Sequence, residues 1–376
     1  MNFSKLDAFM ETLPACGIPG CELAVSVDGE IVYRKGVGFA DSEKTRPVSN
    51  KDTYWIFSAT KVITCIAAMR LVEEGKLRLD DPVSKYIPEF ADMMIINKDK
   101  TLTPAKNAMT IEHLFTMTGG MTYNIRSAAI TEACTPEAST LDIVKAMAKD
   151  PLIFEPGMHY NYSLCHDVLG AVIEVVTGKS LAEYFDELIF KPLGIVDMGF
   201  EPNEEQLSRM VDMYSFKNGT GEAIKRECNN EYRFTEKYHS GGAGLFATVD
   251  EYIKIITVIA CGGTAKNGYR LLKPETIAMM QVNRLCDDAL NDFVSTRLFG
   301  YGWGLCGRVH FNAVRSRSRS SVGEFGWDGA ANAYVMMDPA KKVAFYYGTH
   351  IKGCSYGSRV IHPTITNLIY ECMDEE

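Results

Sequence analysis

The segment from Ser58 to Glu74 constrains the fold most, because its predicted helix carries apolar side chains on nearly every side. A helix of this composition is stable only when other elements surround it, so we expect it near the centre of the protein. Gly75 follows directly and predicts the end of the helix, since glycine readily adopts the left-handed conformation that closes one. The remaining chain must therefore supply layers that cover this helix.

Segments with the composition of β-strands lie near both ends of the chain. Residues 23–40 contain two such runs around Asp28-Gly29, a dipeptide that favours a two-residue hairpin turn. Further strands and a closing helix are predicted at residues 332–338, 343–351 and 363–373. The long middle of the chain is typical of helices and loops. This pattern predicts an α/β (α+β) fold, with an antiparallel sheet built from both chain ends, flanking helices and a mainly helical insert.

The chain of 376 residues is more than twice as long as an average domain of roughly 150 residues. It contains no internal repeat and no low-complexity linker, which favours one unit with two lobes over independent domains. We expect a single domain over residues 1–376. Its sheet lobe would comprise about residues 1–57 and 235–376, and its helical lobe about residues 58–234.

Composition argues against several kinds of partner. The net charge of −9 disfavours binding to nucleic acid or to an anionic membrane, because both require a concentrated positive surface. We find no signal-peptide pattern and no apolar run long enough to span a membrane. The eleven cysteines include no CxxC pair and predict reduced thiols in a cytoplasmic protein. The seven histidines show no close ligand spacing, so no metal site is expected.

Ser58 and Lys61 form the only S-x-x-K sequence in the chain, at the start of the predicted buried helix. Side chains three residues apart share one face of a helix. Burial and the positive end of the helix both disfavour a charged lysine, which would enable Lys61 to accept a proton from Ser58. The alternative is that Ser58 only caps the helix, a common role for serine. The motif alone leaves both explanations open.

Two other sequences have weaker claims to a function. Residues 353–357, GCSYG, match the G-x-S-x-G element of α/β-hydrolases, but too little chain follows to supply the acid and histidine of that fold. The basic stretch RSRSRSS, residues 315–321, is typical of a solvated loop. Its alternative role is an anchor for a substrate carboxylate, which arginine binds through two parallel hydrogen bonds. The role of Arg315, Arg317 and Arg319 therefore stays open.

Seven ordered blocks together resemble the serine β-lactamase and penicillin-binding-protein superfamily. The likeness is strongest to its class C-like branch, which includes the family VIII carboxylesterases. The blocks are GIPGCELAVSVDGEIVYRKGVGFAD, SATKVITCIAAMRLVEEGKLRLDDPVSKYIPEF, MTIEHLFTMTGGM, FEPGMHYNYSLCHDVLGAVIEVVTGKS, SGGAGLFATVDEY, GYGWGL and EFGWDGAANAYVMMDP. They run almost from end to end of the chain, so the resemblance is far more specific than one S-x-x-K sequence. It implies a β-lactamase/transpeptidase-like fold.

The resemblance also implies an acyl-enzyme mechanism and roles for individual residues. Ser58 would be the nucleophile and Lys61 the general base. Tyr162, in a Y-S-x element, would act with Lys61 as general base or acid, and Tyr160 is the less favoured candidate for this tyrosine. Which member of the Lys61–Tyr162 pair is the formal base stays open.

The third element that the resemblance implies is WDGA, residues 327–330, on a strand at the edge of the pocket. The backbone N–H of Ala330 would form an oxyanion hole together with that of Ser58. The residues expected to contact the substrate are Trp327, Asp328, Gly329 and Leu164.

Two positions depart from the β-lactamase pattern. Leu164 stands where lactamases have an amide, and Trp327 stands where they have a lysine. Both changes disfavour efficient cleavage of lactams and leave acyl-enzyme chemistry intact. The implied function is a serine hydrolase, specifically a carboxylesterase on small to medium esters with at most weak β-lactamase activity. The alternatives are an acyltransferase of the same fold, a β-lactamase or D-amino-acid peptidase, and a binding protein without catalysis.

No cofactor is implied by the resemblance. The expected partner is a small-molecule ester, amide or lactam substrate, with neither nucleic acid nor membrane. A homodimer is one candidate assembly. The physiological substrate and the fate of the acyl group, transferred to water or to another acceptor, stay open.

Overall fold

The computed structural model describes residues 1–295 and 298–374, so the predicted sheet lobe includes four residues, 296–297 and 375–376, that lie outside the described part. The strands in chain order are β1 Gly20–Val27, β2 Glu30–Gly38, β3 Tyr54–Trp55, β4 Met94–Ile96, β5 Leu102–Pro104, β6 Met198–Gly199, β7 Met213–Lys217, β8 Glu222–Arg226, β9 Phe246–Ala247, β10 Tyr301–Gly304, β11 Gly307–His310, β12 Phe325–Gly326, β13 Tyr334–Asp338, β14 Val343–Thr349 and β15 Ile351–Lys352.

The α-helices are α1 Ser4–Thr12, α2 Thr60–Glu73, α3 Ile111–Phe115, α4 Ala128–Ala133, α5 Thr140–Met147, α6 Cys165–Thr177, α7 Leu181–Phe185, α8 Lys191–Leu193, α9 Glu204–Ser208, α10 Val249–Ala260, α11 Pro274–Met280, α12 Asp287–Val294, α13 Ala313–Ser316 and α14 His362–Asp374. Short 3-10 turns and π-helical turns complete the helical structure, at Leu13–Cys16, Phe57–Ala59, Val83–Lys85, Pro88–Phe90, Asp186–Phe190 and Gly357–Ile361.

The main sheet has seven strands in the order β10-β11-β12-β13-β14-β1-β2, and every neighbouring pair is antiparallel. The prediction of a sheet built from both chain ends is confirmed. Asp28 and Gly29 close the β1–β2 hairpin with φ values of 49° and 83°. A type I′ hairpin turn requires positive φ at both central positions, which explains the Asp-Gly pair.

Helices cover both faces of this sheet. Helix α10 packs on one face, against β1, β13 and β14, where Tyr252 stacks on Tyr346 with ring centroids 4.4 Å apart. On the other face, side chains from α1 and α14, including Leu6 and Ile365, form a second core with Leu23 of β1. Strand β1 is therefore buried on both sides, which accounts for its almost continuous apolar sequence.

Helix α2 lies in the larger core, as its composition predicts. All residues from Thr60 to Met69 are buried, and the helix packs against α6. Gly75 follows the helix with φ 68°, and its N–H donates to the carbonyl oxygen of Val72, so the predicted helix end is confirmed. The exact division into lobes at residues 57/58 and 234/235 stays a prediction.

The structure contains strands that the sequence pattern missed. Strands β10 and β11 form one edge of the main sheet, and the β7–β8 hairpin interrupts the predicted helical region. Glycine weakens the strand signal of β10, although a Cβ at Gly302 would overlap the side chain of Asn283. The packing requires glycine at position 302, and glycine is also the residue type that makes the strand hard to predict from the sequence.

Two further observations concern covalent links and membranes. Among the residues that the structure describes, no cysteine takes part in a disulfide bond. Within residues 1–295 and 298–374, no helix combines the length and the apolar character needed to cross a membrane.

A buried acid on β1 predicts a measurable pH dependence of stability. Glu22 is 3% exposed and accepts a hydrogen bond from the hydroxyl of Tyr54 at 2.8 Å. Burial raises the pKa of Glu22 from 4.5 to about 8, more than the Tyr54 hydrogen bond lowers it. The folded protein thus keeps a proton that the unfolded chain releases. This residue makes the free energy of unfolding fall as the pH rises from about 4.5 to about 8.

We expect Glu22→Gln to remove this penalty. Urea denaturation should show the free energy of unfolding of the variant, relative to the unchanged protein, improving between about pH 5 and about pH 8. Glu30→Gln, at the exposed start of β2, is the control and should show no such trend. A Glu22→Gln difference that stays constant over this range would contradict the assignment.

Candidate active site

Ser58 lies in the 3-10 turn that leads into α2, and its side chain does not cap that helix. Instead, Ser58 Oγ accepts a hydrogen bond from Lys61 Nζ at 3.2 Å. The two residues are 7% and 2% exposed. The alternative in which Ser58 is only a helix cap is therefore wrong.

Hydroxyl, carbonyl and aromatic groups surround the amine of Lys61. Besides Ser58, its Nζ donates to the carbonyl oxygen of Gly242 at 2.8 Å and lies 3.5 Å from the hydroxyl of Tyr123. It also lies 4.8 Å from the ring centroid of Tyr162. Among the described residues, no carboxylate is within ion-pair distance of this amine. A buried lysine without an acid partner is unusual and marks a candidate functional group.

Two stacked tyrosines cover Lys61, whereas the sequence pointed to one. The rings of Tyr123 and Tyr162 lie 5.3 Å apart at an angle of 13°. The hydroxyl of Tyr162 accepts a hydrogen bond from Trp327 Nε1 at 3.0 Å, which fixes the position of its oxygen. Burial, with a smaller contribution from the nearby Tyr162, raises the pKa of Tyr123 well above its ordinary value. Tyr123 is therefore a neutral phenol near pH 7.

Tyr123 lies two residues beyond the block MTIEHLFTMTGGM, and that position is the only sequence signal for it. The alternative tyrosine, Tyr160, has a different environment. It is 8% exposed and packs on Phe293 and Trp303, with ring centroids 5.1 and 5.4 Å away. Leu164 is also buried in the core, at 3% exposure, where it precedes α6.

The prediction that residues 327–330 lie on a strand is wrong, because they follow β12 and start the turn to β13, next to the chain that leads to Ser58. The backbone of Gly329 approaches so closely that a Cβ there would lie 2.5 Å from the carbonyl oxygen of Ile56. The Gly329 N–H donates to the carbonyl oxygen of Ala333 at 2.8 Å, which holds the turn in place. Glycine in the WDGA element thus permits the close approach of the two segments.

Ala330 lies between Gly329, which approaches Ile56, and Ala331, which packs with Phe57 in a small apolar cluster. In the described part of the chain, the backbone N–H groups of Ser58 and Ala330 have no hydrogen-bond partner. An oxyanion hole requires unpaired donors of this kind, and the assignment of these two N–H groups to one stays a prediction.

Phe57, directly before Ser58, is held in an unusual backbone conformation. Its φ is 46°, in the left-handed region that non-glycine residues seldom adopt. Its buried ring packs against Tyr232 and His350, and Lys352 Nζ lies 4.1 Å from the ring centroid. Strain of this kind persists only where packing enforces it, and the strained residue lies directly before Ser58.

Asp167 organises the loop that supplies a partner to Lys61. Its buried carboxylate accepts hydrogen bonds from the hydroxyls of Tyr238 and Ser240, at 2.8 and 2.6 Å. It also accepts one from the backbone N–H of Gly242 at 3.4 Å. The carbonyl of the same Gly242 accepts from Lys61, so Asp167 positions the amine through one loop. The sequence contained the SGGAG block but gave no role to Asp167.

Asp328, expected to contact the substrate, forms an ion pair with Arg308 Nη1 at 3.0 Å. His362 Nδ1 lies 3.7 Å from its other oxygen. Burial raises the pKa of Asp328, but Arg308 and His362 outweigh burial and hold that pKa below its ordinary value. Asp328 is therefore an anion at neutral pH and is already paired with Arg308.

Comparison with known proteins identifies the family to which the chain belongs. A family model described as Beta-lactamase matches residues 6–353. The chain belongs to the beta-lactamase family. Among its relatives, esterase EstB of Burkholderia gladioli is 31% identical over 361 residues, which cover 90% of this chain and 87% of EstB.

Solved structures show that the family fold extends over nearly all of this beta-lactamase-family chain. EstCE1, described as a hydrolase with promiscuous acyltransferase activity, has a TM-score of 0.80 at 23% identity, covering 97% of both chains. Simvastatin synthase LovD from Aspergillus terreus has a TM-score of 0.82 at 20% identity, covering 99% of this chain and 98% of LovD. The predicted superfamily and its β-lactamase/transpeptidase-like fold are confirmed.

The two stacked tyrosines give a prediction for ester hydrolysis. Tyr162→Phe removes the hydroxyl that Trp327 orients, and should lower kcat by about 100-fold or more, as expected for a lost acid–base group. Tyr123→Phe removes a hydroxyl at the limit of hydrogen-bond distance from Lys61 and should cost less than about tenfold. Steady-state kinetics on one ester would decide. A larger loss in Tyr123→Phe would transfer the acid–base role to Tyr123.

Proposed function

We propose that this chain is a serine hydrolase that forms an acyl-enzyme on Ser58, and specifically a carboxylesterase acting on small to medium esters. The observation that most supports this proposal is the environment of Lys61 Nζ. The Lys61 nitrogen lies 3.2 Å from Ser58 Oγ and, among the described residues, has no carboxylate within ion-pair distance. A lysine amine in such a position is suited to take a proton from the serine.

In the acylation step, Lys61 and Tyr162 act as a pair that removes the proton from Ser58 Oγ. The oxygen attacks the ester carbonyl carbon, and the backbone N–H groups of Ser58 and Ala330 donate hydrogen bonds to the oxyanion that forms. The C–O bond to the alcohol then breaks, and the alcohol leaves with the proton held by the Lys61–Tyr162 pair.

In the deacylation step, water attacks the acyl group on Ser58. The same pair accepts the proton of the water and returns a proton to Ser58 Oγ, which restores the free serine. Trp327 takes part by holding the hydroxyl of Tyr162 in one position through their 3.0 Å hydrogen bond. The indole N–H of Trp327 therefore already has a hydrogen-bond acceptor within the protein.

Two observations favour esters over lactams. Trp327 supplies no charge for the carboxylate of a lactam, and its N–H is already bonded to Tyr162. Leu164 is buried at 3% exposure and supplies no polar group for an acylamide side chain. A simple ester requires neither contact.

The test uses a fluorophosphonate probe and two substrates. The probe should label the protein and fail to label Ser58→Ala. Ser355→Ala, in the GCSYG sequence, should be labelled normally, because the hydroxyl of Ser355 donates to Asn218 and not to a base. We expect kcat/KM for p-nitrophenyl butyrate to exceed that for nitrocefin by at least about tenfold.

Three results would contradict the proposal. Labelling of Ser58→Ala at the level of the unchanged protein would remove Ser58 as the nucleophile. Faster turnover of nitrocefin than of the ester would favour a β-lactamase. Formation of a new ester from an added alcohol, faster than hydrolysis, would favour an acyltransferase.

We also propose a cytoplasmic location. The lack of disulfide bonds among the described residues supports it, because cysteines of secreted proteins are usually paired in disulfides. Cell fractionation with an antibody to the chain would test it, and recovery from the extracellular fraction would contradict it.

A further inference from the structure

A cavity of about 880 Å³ adjoins the proposed reaction centre. Trp327 and Asp328 line it, together with the end of α13, the turn that follows and the start of α14. Trp327 also donates the hydrogen bond to Tyr162. The cavity therefore begins one side chain away from the tyrosine that, in the mechanism above, returns a proton to the leaving alcohol.

Three arginine side chains that have no acidic partner among the described residues line this cavity, and they come from two separate segments. Arg315 and Arg317 come from the basic stretch 315–321, and Arg359 comes from the π-helical turn before α14. Within the described parts of the chain, no carboxylate is within ion-pair distance of these three guanidinium groups. In a protein of net charge −9, such a concentration of unpaired positive charge is a local feature that attracts anions.

The acidic residue of the cavity does not cancel this charge. Asp328 is the single carboxylate among the described lining residues, and it is paired with Arg308, which also lines the cavity. Arg308 binds Glu324 behind the cavity wall as well, at 3.2 Å. Arg308 is thus paired with Asp328 and Glu324 of the protein itself. Arg315, Arg317 and Arg359 remain available to bind an external anion.

Arg319 shows by contrast what an ordinary arginine of this stretch does. It lies two residues after Arg317, does not line the cavity, and approaches Asp374 at 3.5 Å on the surface. The basic stretch therefore contains both cavity-lining arginines and a surface arginine with an acidic partner. This difference supplies a matched control.

We propose that this cavity binds a carboxylate or phosphate group carried by the leaving-alcohol part of the substrate. Guanidinium groups bind both oxyanions through paired hydrogen bonds, so several of them suit a group with two or three oxygens. The assignment to the alcohol side rests on the proposed function, because it uses the position of Tyr162 next to Trp327. The preferred substrates would accordingly be esters of anionic alcohols.

The kinetic test compares 4-acetoxybenzoate with its methyl ester, which share the acetyl group and differ in the charge of the leaving phenol. The combined variant Arg315→Gln, Arg317→Gln, Arg359→Gln should lose at least about tenfold in kcat/KM on the charged ester. The neutral ester should change by less than about twofold, and Arg319→Gln should change neither. A parallel assay with 4-acetoxyphenyl phosphate shows whether carboxylate or phosphate is preferred.

Salt provides a second kinetic readout. Raising the ionic strength should lower kcat/KM on the charged ester in the unchanged protein, and should have little effect in the combined variant. Equal losses on both esters, or a loss in Arg319→Gln as large as in the combined variant, would overturn the proposal. A preference for charge on the acyl group, removed by the same variant, would overturn the assignment to the alcohol side.

A binding measurement separates this proposal from the proposed function. Calorimetry should detect binding of 4-hydroxybenzoate or 4-hydroxyphenyl phosphate to Ser58→Ala, and no binding when the three arginines are also replaced. If both esters resist hydrolysis but this binding is found, the function is wrong and the cavity assignment stands. If the neutral ester is hydrolysed and neither anion binds, or if binding survives the triple replacement, the cavity assignment is wrong and the function stands.

Discussion

The burial of α2 is the constraint on which the rest of the structure depends. This helix places the amine of Lys61 in the interior, where each of its hydrogen bonds must be supplied by the protein. Ser58 Oγ and the carbonyl of Gly242 supply two of them, at 3.2 and 2.8 Å. Asp167 in turn holds the Gly242 loop by accepting three hydrogen bonds. One helix, one loop and one acid thus fix the relative position of the serine and the lysine.

The sheet supplies the other half of the site. Strands from both chain ends pair so that the turn from β12 to β13 lies against the segment before Ser58, where only glycine permits the contact of residue 329 with Ile56. Phe57 adopts its strained φ of 46° within the same contact region. The segment that contains Ala330 and the turn that contains Ser58 come together because distant parts of the chain meet here.

Features that depend on local patterns could be predicted from the sequence. The Asp28-Gly29 hairpin, the buried helix after Ser58 and the sheet from both chain ends have signals in the composition or in turn residues. Tyr123 and Asp167 could not be predicted in this way. The position of Tyr123 depends on stacking with Tyr162, and the role of Asp167 depends on a loop over seventy residues later. The Gly242 carbonyl that accepts a hydrogen bond from Lys61 is a backbone group, so the residue type at position 242 does not reveal this contact.

Direct detection of the acyl group on the protein tests the central claim most directly. The protein would be mixed with p-nitrophenyl acetate, quenched in acid within the first turnovers, digested and examined by mass spectrometry. The account predicts an acetyl group on the Ser58 oxygen and none in Ser58→Ala. Steady turnover in Ser58→Ala, or an acetyl group that is turned over on another residue while Ser58 stays unmodified, would contradict it.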